Sequence, residues 1–538
     1  MQRFAGAPTI LRLILRLDRI KLPLWILGLG FMIVITPISI RDVTETEATT
    51  RGVAPEVILA EQAALVDTNA AMVALSGPAD ALDTFGGRYL FELGAMTLAI
   101  VALMNVLLVA RHTRASEEAG RTELLRSSAV GTWAIELALG IVVTVANAAL
   151  ALIVILAFGL DGVDLGATSA FAVAMALMGM AFAALTLMWA QVFEHSRSST
   201  GAGIATIAAA YALRAAGDVQ DGWLSLVSPI GLVQAVNPFG DLSIAPLLVL
   251  VAVIVATLGA GAWLAARRDV GAGIVAPRPG PPAASARLVT PLGLAWRLHR
   301  GIVLWWAVGV GFLGMVYGSV LSAVDDFVQD NESMQEMLEQ MGAIGDQFRD
   351  AFLTMLLTIL GFVAAGAVLQ LTLRPRAEEM AGHAEMVLAA RVSRRSWLGA
   401  QLVIAWLIAP VLMLVAAVAL TVSDGLVVGE IVEPGSAIGA AMTRVPALWA
   451  MIGITTALYG ASKRLAPLGW VVFGVTVLFF LFGELLRLPD LALNLSTLYH
   501  TNHQPVEAQP FLSLLTLTTI GLVSTALGLG LFQRRDVA

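Results

Sequence analysis

No cysteine occurs in the 538 residues, which excludes disulfides, thiolate chemistry and sulfur-ligated metal. Lysine is nearly absent. Lys21 and Lys463 are the only two, and neither ends a Gly-x-x-x-x-Gly-Lys-Ser/Thr loop, so the chain carries no ATP-binding signature. His-Glu-x-x-His is also missing. Charged residues make up only 13%, against about 25% in a soluble domain. That deficit excludes a water-soluble core and, with 58% hydrophobic residues, puts the chain in the membrane class. No apolar stretch carries a mid-depth series of acids suited to a proton relay, which weighs against an ion-driven carrier. Glu136, Arg214, Arg444 and Glu484 lie near the ends of such stretches, where snorkelling accounts for them.

Twelve stretches approach the roughly 20 apolar residues that a membrane-crossing helix needs. They are 23–40, 93–110, 136–159, 168–193, 201–216, 246–266, 302–323, 353–372, 398–422, 438–460, 466–483 and 511–532, the fifth and eleventh being the least sharply bounded. With the amino terminus in the cytoplasm, the inner segments hold 25 of the 32 Lys and Arg, and the outer segments hold 28 of the 39 Asp and Glu. The positive-inside rule therefore predicts both termini cytoplasmic. The Arg-rich start is not read as a signal peptide, because a similar segment recurs in mid-chain.

That recurrence is one of three. RLDRIKLPLWILGLGF from Arg16 matches RLHRGIVLWWAVGVGF from Arg297, RASEEAGRTELL from Arg114 matches RAEEMAGHAEMV from Arg376, and ARRDV ending at Val270 matches QRRDV ending at Val537. Three blocks in one order predict an all-α integral membrane protein built as two tandem six-helix repeats. An even number of spans per half makes the repeats parallel. The halves are 1–270 and 291–538, joined by a cytoplasmic Pro- and Gly-rich linker, 271–290, containing Pro277, Pro279, Pro281 and Pro282. An amphipathic elbow is expected at about 9–21, with Arg12, Arg16 and Arg19 on one face, and again around Leu294–Arg300.

The outer loops diverge. The first, Arg41 to Glu92, is long and acidic; the second, about Asp325 to Asp350, is shorter, and the fall in repeat offset from 281 to 262 puts 19 extra residues in the first half. In the second, Met334, Met337, Leu338, Met341, Ile344 and Phe348 fit a helix lying on the outer face, capped by Ser333 and Glu336. It either packs on the span ends or forms a lid over a substrate exit. His500, His503 and Glu507 have metal-ligand spacing but read as solvated loop residues.

The informative polar blocks are the loops Arg111–Trp133 and Leu373–Trp397. Retaining positive charge inside would not select Glu117/Glu379, Gly120/Gly382 and Glu123/Glu385 at one spacing twice. Acids kept in such a loop suggest a partner that supplies basic groups. A short helix exposing Leu124 and Leu125, or Met386 and Val387, would make a docking knob.

These residues resemble the permease of a type-2 ABC exporter. In that family the loop after the second span carries Glu-x-x-Gly-x-x-Glu-Leu. Glu117, Gly120, Glu123 and Leu124 match it; Glu379, Gly382 and Glu385 match it with Met386 in place of Leu. The closing Arg-Arg-Asp of each half, the Ala-rich composition and the fused halves resemble the polyketide-antibiotic exporter permeases of the tetronasin type. The resemblance implies that these residues, with Arg114 and Arg376, dock two copies of a separate ATPase that binds ATP and Mg, since this chain binds no cofactor itself. It implies extrusion of amphipathic small molecules through a cavity between the halves in a bacterial cell membrane, in contact with lipid and without nucleic acid. Met104, Asn105, Tyr211, Phe362, Gln370 and Phe479 are its candidate lining residues. The alternatives are an ion-coupled secondary transporter and a membrane-embedded lipid-modifying enzyme.

Overall fold

The computed structural model describes residues 2–67, 73, 76–78, 80–127, 130–219, 222–269, 271–275, 282–330, 345–428, 434–482, 496–501 and 510–536. They fold almost wholly as α-helices, and the one β-feature among them is an isolated bridge between Phe193 and Val275. The chain divides into two compact units, Met1–Pro279 and Gly280–Ala538. The division lies within the Pro- and Gly-rich stretch 271–290.

In the first unit the helices are α1 (Ala7–Leu17), α2 (Lys21–Arg51), α3 (Pro55–Asp67), α4 (Phe85–His112), α5 (Arg114–Glu118), α6 (Arg121–Arg126), α7 (Ala134–Leu160), α8 (Leu165–Val192), α9 (Ser196–Val219), α10 (Leu224–Val227), α11 (Pro229–Gln234) and α12 (Ala245–Ala265). In the second they are α13 (Pro291–Asp330), α14 (Gly345–Met380), α15 (His383–Leu388), α16 (Arg394–Val428), α17 (Gly435–Met442), α18 (Val445–Ala461), α19 (Leu468–Phe482) and α20 (Phe511–Arg534). Their starts follow local chemistry. Thr84 accepts a hydrogen bond from Gly87 N at 3.1 Å to cap α4, and Asp164 accepts one from Ala167 N at 2.7 Å to cap α8.

Eleven of the twelve expected spans each overlap one helix and the tenth overlaps two, α17 and α18, but among the described residues ten stretches are long and apolar enough to cross a membrane. The two that fall short are the fifth and the eleventh. α9 opens on Ser196, Arg197, Ser198, Ser199 and Thr200 and carries Arg214 and Asp218. α19 has 15 residues, about 22 Å of helix against about 30 Å of hydrocarbon.

The core of the first unit is built around α4, whose Leu98, Val101 and Met104 meet Ala146 and Leu150 of α7 and Met175, Met178 and Phe182 of α8. Inside it sits a reciprocal amide pair. Asn105 Nδ2 donates to Asn147 Oδ1 at 3.1 Å, Asn147 Nδ2 donates to Asn105 Oδ1 at 2.8 Å, and each amide also bonds a carbonyl one turn back. Buried polar groups are tolerated when satisfied in this way. The core of the second unit centres on Leu357, Leu360 and Val368 of α14, Leu412 and Met413 of α16, and Leu448 and Met451 of α18.

The elbow is shorter than expected and differs between the units. α1 ends at Asp18 and buries Ala7, Ile10 and Ile14 against Leu108, Val109, Leu139 and Val142, while Arg12, Arg16 and Arg19 are exposed. The break before α2 is pinned by Asp18, which is buried and accepts from Arg111 at 2.5 Å and pairs with His112 Nε2 at 2.6 Å. In the second unit the matching residue is His299, and α13 runs through without a break, so no separate elbow forms there. The expected outer helix around Met334–Phe348 lies outside the residues whose side chains are described, as do Glu484, His503 and Glu507.

Candidate functional site

The two polar loops fold alike. Arg114–Glu118 is one short turn of helix; Gly120 then reverses the chain at φ +68° and caps α6. In the second unit Gly382, at φ +75°, caps α15. Only glycine enters this left-handed region without strain, which explains its place in both loops. α6 and α15 have six residues each and occupy matching positions. Each buries its second residue, Thr122 or Ala384, and exposes its fourth, Leu124 at 74% and Met386 at 68%. Glu123 and Glu385 are exposed in the first turn. Leu125 and Val387 are half-buried, so each knob has one protruding apolar residue.

The first glutamate of each motif does something else. Glu117 accepts from Arg114 at 2.5 Å and is gripped by Arg268 through both nitrogens, at 2.7 and 3.0 Å. Glu379 is buried and accepts from Arg535 at 2.5 Å and from the Tyr459 hydroxyl at 2.8 Å. Arg268 and Arg535 are the second arginines of the two Arg-Arg-Asp sequences. The loop at the end of α4, and likewise at the end of α14, is thus fastened to the end of its own unit by one ion pair, made twice. This corrects the expectation that a partner supplies the basic groups for Glu117 and Glu379. The charges are met within each unit, and the surface left free is Glu123 with Leu124, and Glu385 with Met386.

Arg114 and Arg376 are backbone clamps. Arg114 is buried and donates to the carbonyls of Glu194 (2.5 Å) and Gly271 (2.7 Å); Arg376 donates to the carbonyl of Lys463 (2.8 Å). The start of the linker is therefore held: Val275 N donates to the Val192 carbonyl at 2.9 Å. Arg268 Nε also donates to Gln191 Oε1 at 2.7 Å, which ties the loop to the end of α8.

Within their own units the candidate lining residues stand in different settings. Met104 and Asn105 are fully buried in the first core. Tyr211 is half-buried beneath the Arg214 guanidinium, 4.5 Å from its ring centre. Phe362 packs with Ala447, Ala450, Leu498 and Leu517. Gln370 is exposed and accepts from Trp306 Nε1 at 2.6 Å, and Phe479 is half-buried on α19. Arg214 and Arg444 do not snorkel, since both are fully buried. Arg444 donates to the carbonyls of Ala440 (2.6 Å) and Thr354 (2.9 Å) and to Thr358 Oγ1 (3.1 Å) at the break between α17 and α18. Sequence reasoning missed the roles of Asp18, Gln191, Arg268, Arg535 and Tyr459. Arg268 and Arg535 had a signal, as both Arg-Arg-Asp blocks recur near one offset from the glutamate loops. Among the described residues no group of His, Asp and Glu could hold a metal ion.

Ten apolar spans around two fastened loops define a multi-pass helical membrane protein. Comparison with known proteins carries this further. The family described as multidrug efflux system permease Rv1217c, C-terminal domain, matches residues 288–533. The chain is 36% identical over 537 residues to the multidrug efflux system permease protein Rv1217c of Mycobacterium tuberculosis (strain ATCC 25618 / H37Rv), covering 99% of this chain and 96% of that protein. The chain therefore belongs to the family of multidrug efflux system permeases, multi-pass proteins of the bacterial cell membrane.

Proposed function

We propose that this permease is the membrane half of an ATP-driven exporter of amphipathic compounds, including antibiotics. Two copies of a separate ATPase, which bind ATP and Mg, dock on the loops 111–133 and 373–397. Its architecture is two parallel six-span halves with both termini in the cytoplasm, α9 and α19 serving as the fifth and eleventh spans. The observation that carries the reading is the pair of glycine-capped helices α6 and α15, each presenting an exposed apolar residue beside a free glutamate. An exposed Leu or Met on a rigid helix suits insertion into an apolar groove of a partner. The partly buried Glu117–Arg268 pair and the Glu379–Arg535 pair, with Glu379 buried, hold that helix to the unit that would have to move. Resemblance to type-2 ABC permeases and the multidrug name of the M. tuberculosis relative supply the driving force and the cargo class.

The test is co-expression with an ATPase encoded beside this permease, co-purification in lipid, and ATPase assay with candidate drugs. Wild type should retain and stimulate the ATPase. The double variant Leu124→Asp with Met386→Asp should insert normally and lose the ATPase, because both side chains are exposed and contribute little to folding. Unchanged co-purification by that variant refutes the docking surface. Export that persists without any ATPase and follows an ion gradient refutes the ATP-driven reading.

A further inference from the structure

Between α7, α8 and α12 of the first unit lies a cavity of about 630 Å³. It is lined mainly by apolar side chains, among them Val143, Met180, Leu187 and Leu258, with the carboxylate of Glu136 and the amide of Gln191 in its wall. Pockets of about 300–1,000 Å³ with few polar groups are the size and character of small-molecule sites.

The second unit shows why the first is open. There the corresponding helices, α18 and α20, meet through four glycines. A Cβ placed on Gly453 would lie 2.3 Å from the Gly521 carbonyl oxygen, and one on Gly460 would lie 2.2 Å from that of Gly528. Counted back from the ends of their helices at Val192 and Ala461, Gly453 and Gly460 correspond to Ala184 and Gln191. The Arg-Arg-Asp offset pairs Gly521 with Ile254 and Gly528 with Gly261. All four first-unit residues line the cavity. At three of these four positions the first unit carries a side chain, and α8 and α12 meet less closely there. At the fourth, Gly261, a Cβ would sit an ordinary 3.6 Å from Met188.

We infer that this cavity is a binding site for an amphiphilic organic cation, its apolar body among the aliphatic side chains and its charge toward Glu136. The carboxylate in an apolar wall decides the class, because charge complementarity in a poorly hydrated site is worth more than at a surface. Gln191 links the site to the loop. Its Oε1 is bonded by Arg268, which grips Glu117, so a ligand against Gln191 borders the same pair that fastens α5 and α6. Binding itself does not depend on the ATP-driven reading; only the role of the ligand as cargo or regulator does.

The test is equilibrium binding of radiolabelled tetraphenylphosphonium to the full-length protein in zwitterionic-lipid nanodiscs, with no ATPase and no ATP present. Wild type should bind one equivalent below about 1 mM. Glu136→Gln should weaken binding about tenfold while leaving the affinity for neutral triphenylphosphine oxide unchanged. Gly140→Phe should abolish both, because Gly140 is in the lining and a side chain there enters open space. Glu56→Gln, an exposed charge remote from the cavity, should bind as wild type does. Absence of saturable binding by wild type overturns the proposal. So does binding that survives Gly140→Phe, which would mark the cavity as filled by lipid alone.

Discussion

Removing Arg535 should harm the protein far more than removing Arg268, although the two arginines are counterparts. The Glu379 side chain is 1% exposed and meets one cation, Arg535, whose guanidinium also lies 5.0 Å from the Tyr459 ring centre and 5.2 Å from that of Phe532. Arg535→Ala leaves a buried carboxylate with a tyrosine hydroxyl for company. Breaking a buried pair in this way costs about 3–5 kcal/mol, and the lost ring contacts add about 0.5–1 kcal/mol. Glu117, by contrast, keeps Arg114 at 2.5 Å when Arg268 is removed. Losing a charge-assisted bond while the charge stays paired costs about 1.5–3 kcal/mol. At roughly 2–4 °C per kcal/mol for a unit of this size, Arg535→Ala should lower the melting midpoint by about 7–24 °C and Arg268→Ala by about 3–12 °C. The assay is intrinsic tryptophan fluorescence in nanodiscs at one fixed scan rate, since such unfolding is governed partly by kinetics. Adding Glu379→Gln to Arg535→Ala should restore about half the loss, because a neutral amide needs no cation and can still accept from Tyr459. The reasoning fails if Arg268→Ala is the more damaging variant, or if Glu379→Gln rescues nothing.

Two further outcomes follow from packing. Gly528→Ala puts a Cβ 2.5 Å from the Thr456 carbonyl carbon, which is backbone and cannot yield, so it should destabilise by about 3 kcal/mol or more. Its counterpart Gly261→Ala meets nothing closer than 3.6 Å and should be neutral or stabilise by up to about 1 kcal/mol through helix propensity; equal melting shifts for the two would disprove the contrast between the helix pairs. Asn105→Ala and Asn147→Ala should each cost about 1–3 kcal/mol by orphaning the other amide, and the double variant should cost clearly less than their sum, as read from the same melting midpoints.

The repeated blocks mark where α6 and α15 form but not what they connect to. Glu117, Gly120 and Glu123 recur at one spacing because Gly120 must take a left-handed turn and Glu117 must face inward, and both constraints leave a mark in sequence. The destination of the glutamate left none. Its partner lies 151 residues away in one unit and 156 in the other, and only folding brings Arg268 and Arg535 to it. Ten of the twelve expected spans are helices long and apolar enough to cross a membrane; α9 falls short through its polar residues and α19 through its length. Arg444 looked like a snorkelling residue because its partners are carbonyls exposed by a helix break, which no hydropathy pattern reveals. The surroundings of the lining candidates were hidden for a similar reason. Met104 and Phe362 are apolar and sit in spans, but whether such a residue faces a neighbour or a void depends on helix rotation. The void between α7, α8 and α12 is bordered by Ala184, Gln191 and Ile254, none of them conspicuous in sequence.

The two units agree where they present a loop and differ where they pack their interior. α6 and α15 share length, cap, exposed fourth residue and inward glutamate, whereas α8 and α12 enclose a cavity and α18 and α20 meet glycine to glycine. The proposed docking of one kind of partner on both loops would constrain both copies, while an interior without that demand is free to diverge. A push on α15 would pass through Glu379 and Arg535 into the end of α20, which is packed backbone to backbone against α18 and would move with it. The same push on α6 would pass through Glu117 and Arg268 to Gln191, at the rim of a space with room to change volume. Equal input at the two loops would then move one half as a block and reshape the other. The variant pair Arg268→Ala and Arg535→Ala separates these cases. If the halves respond differently, ligand binding at the Glu136 cavity should change on losing Arg268 and should not change on losing Arg535, measured at a temperature where both variants remain folded.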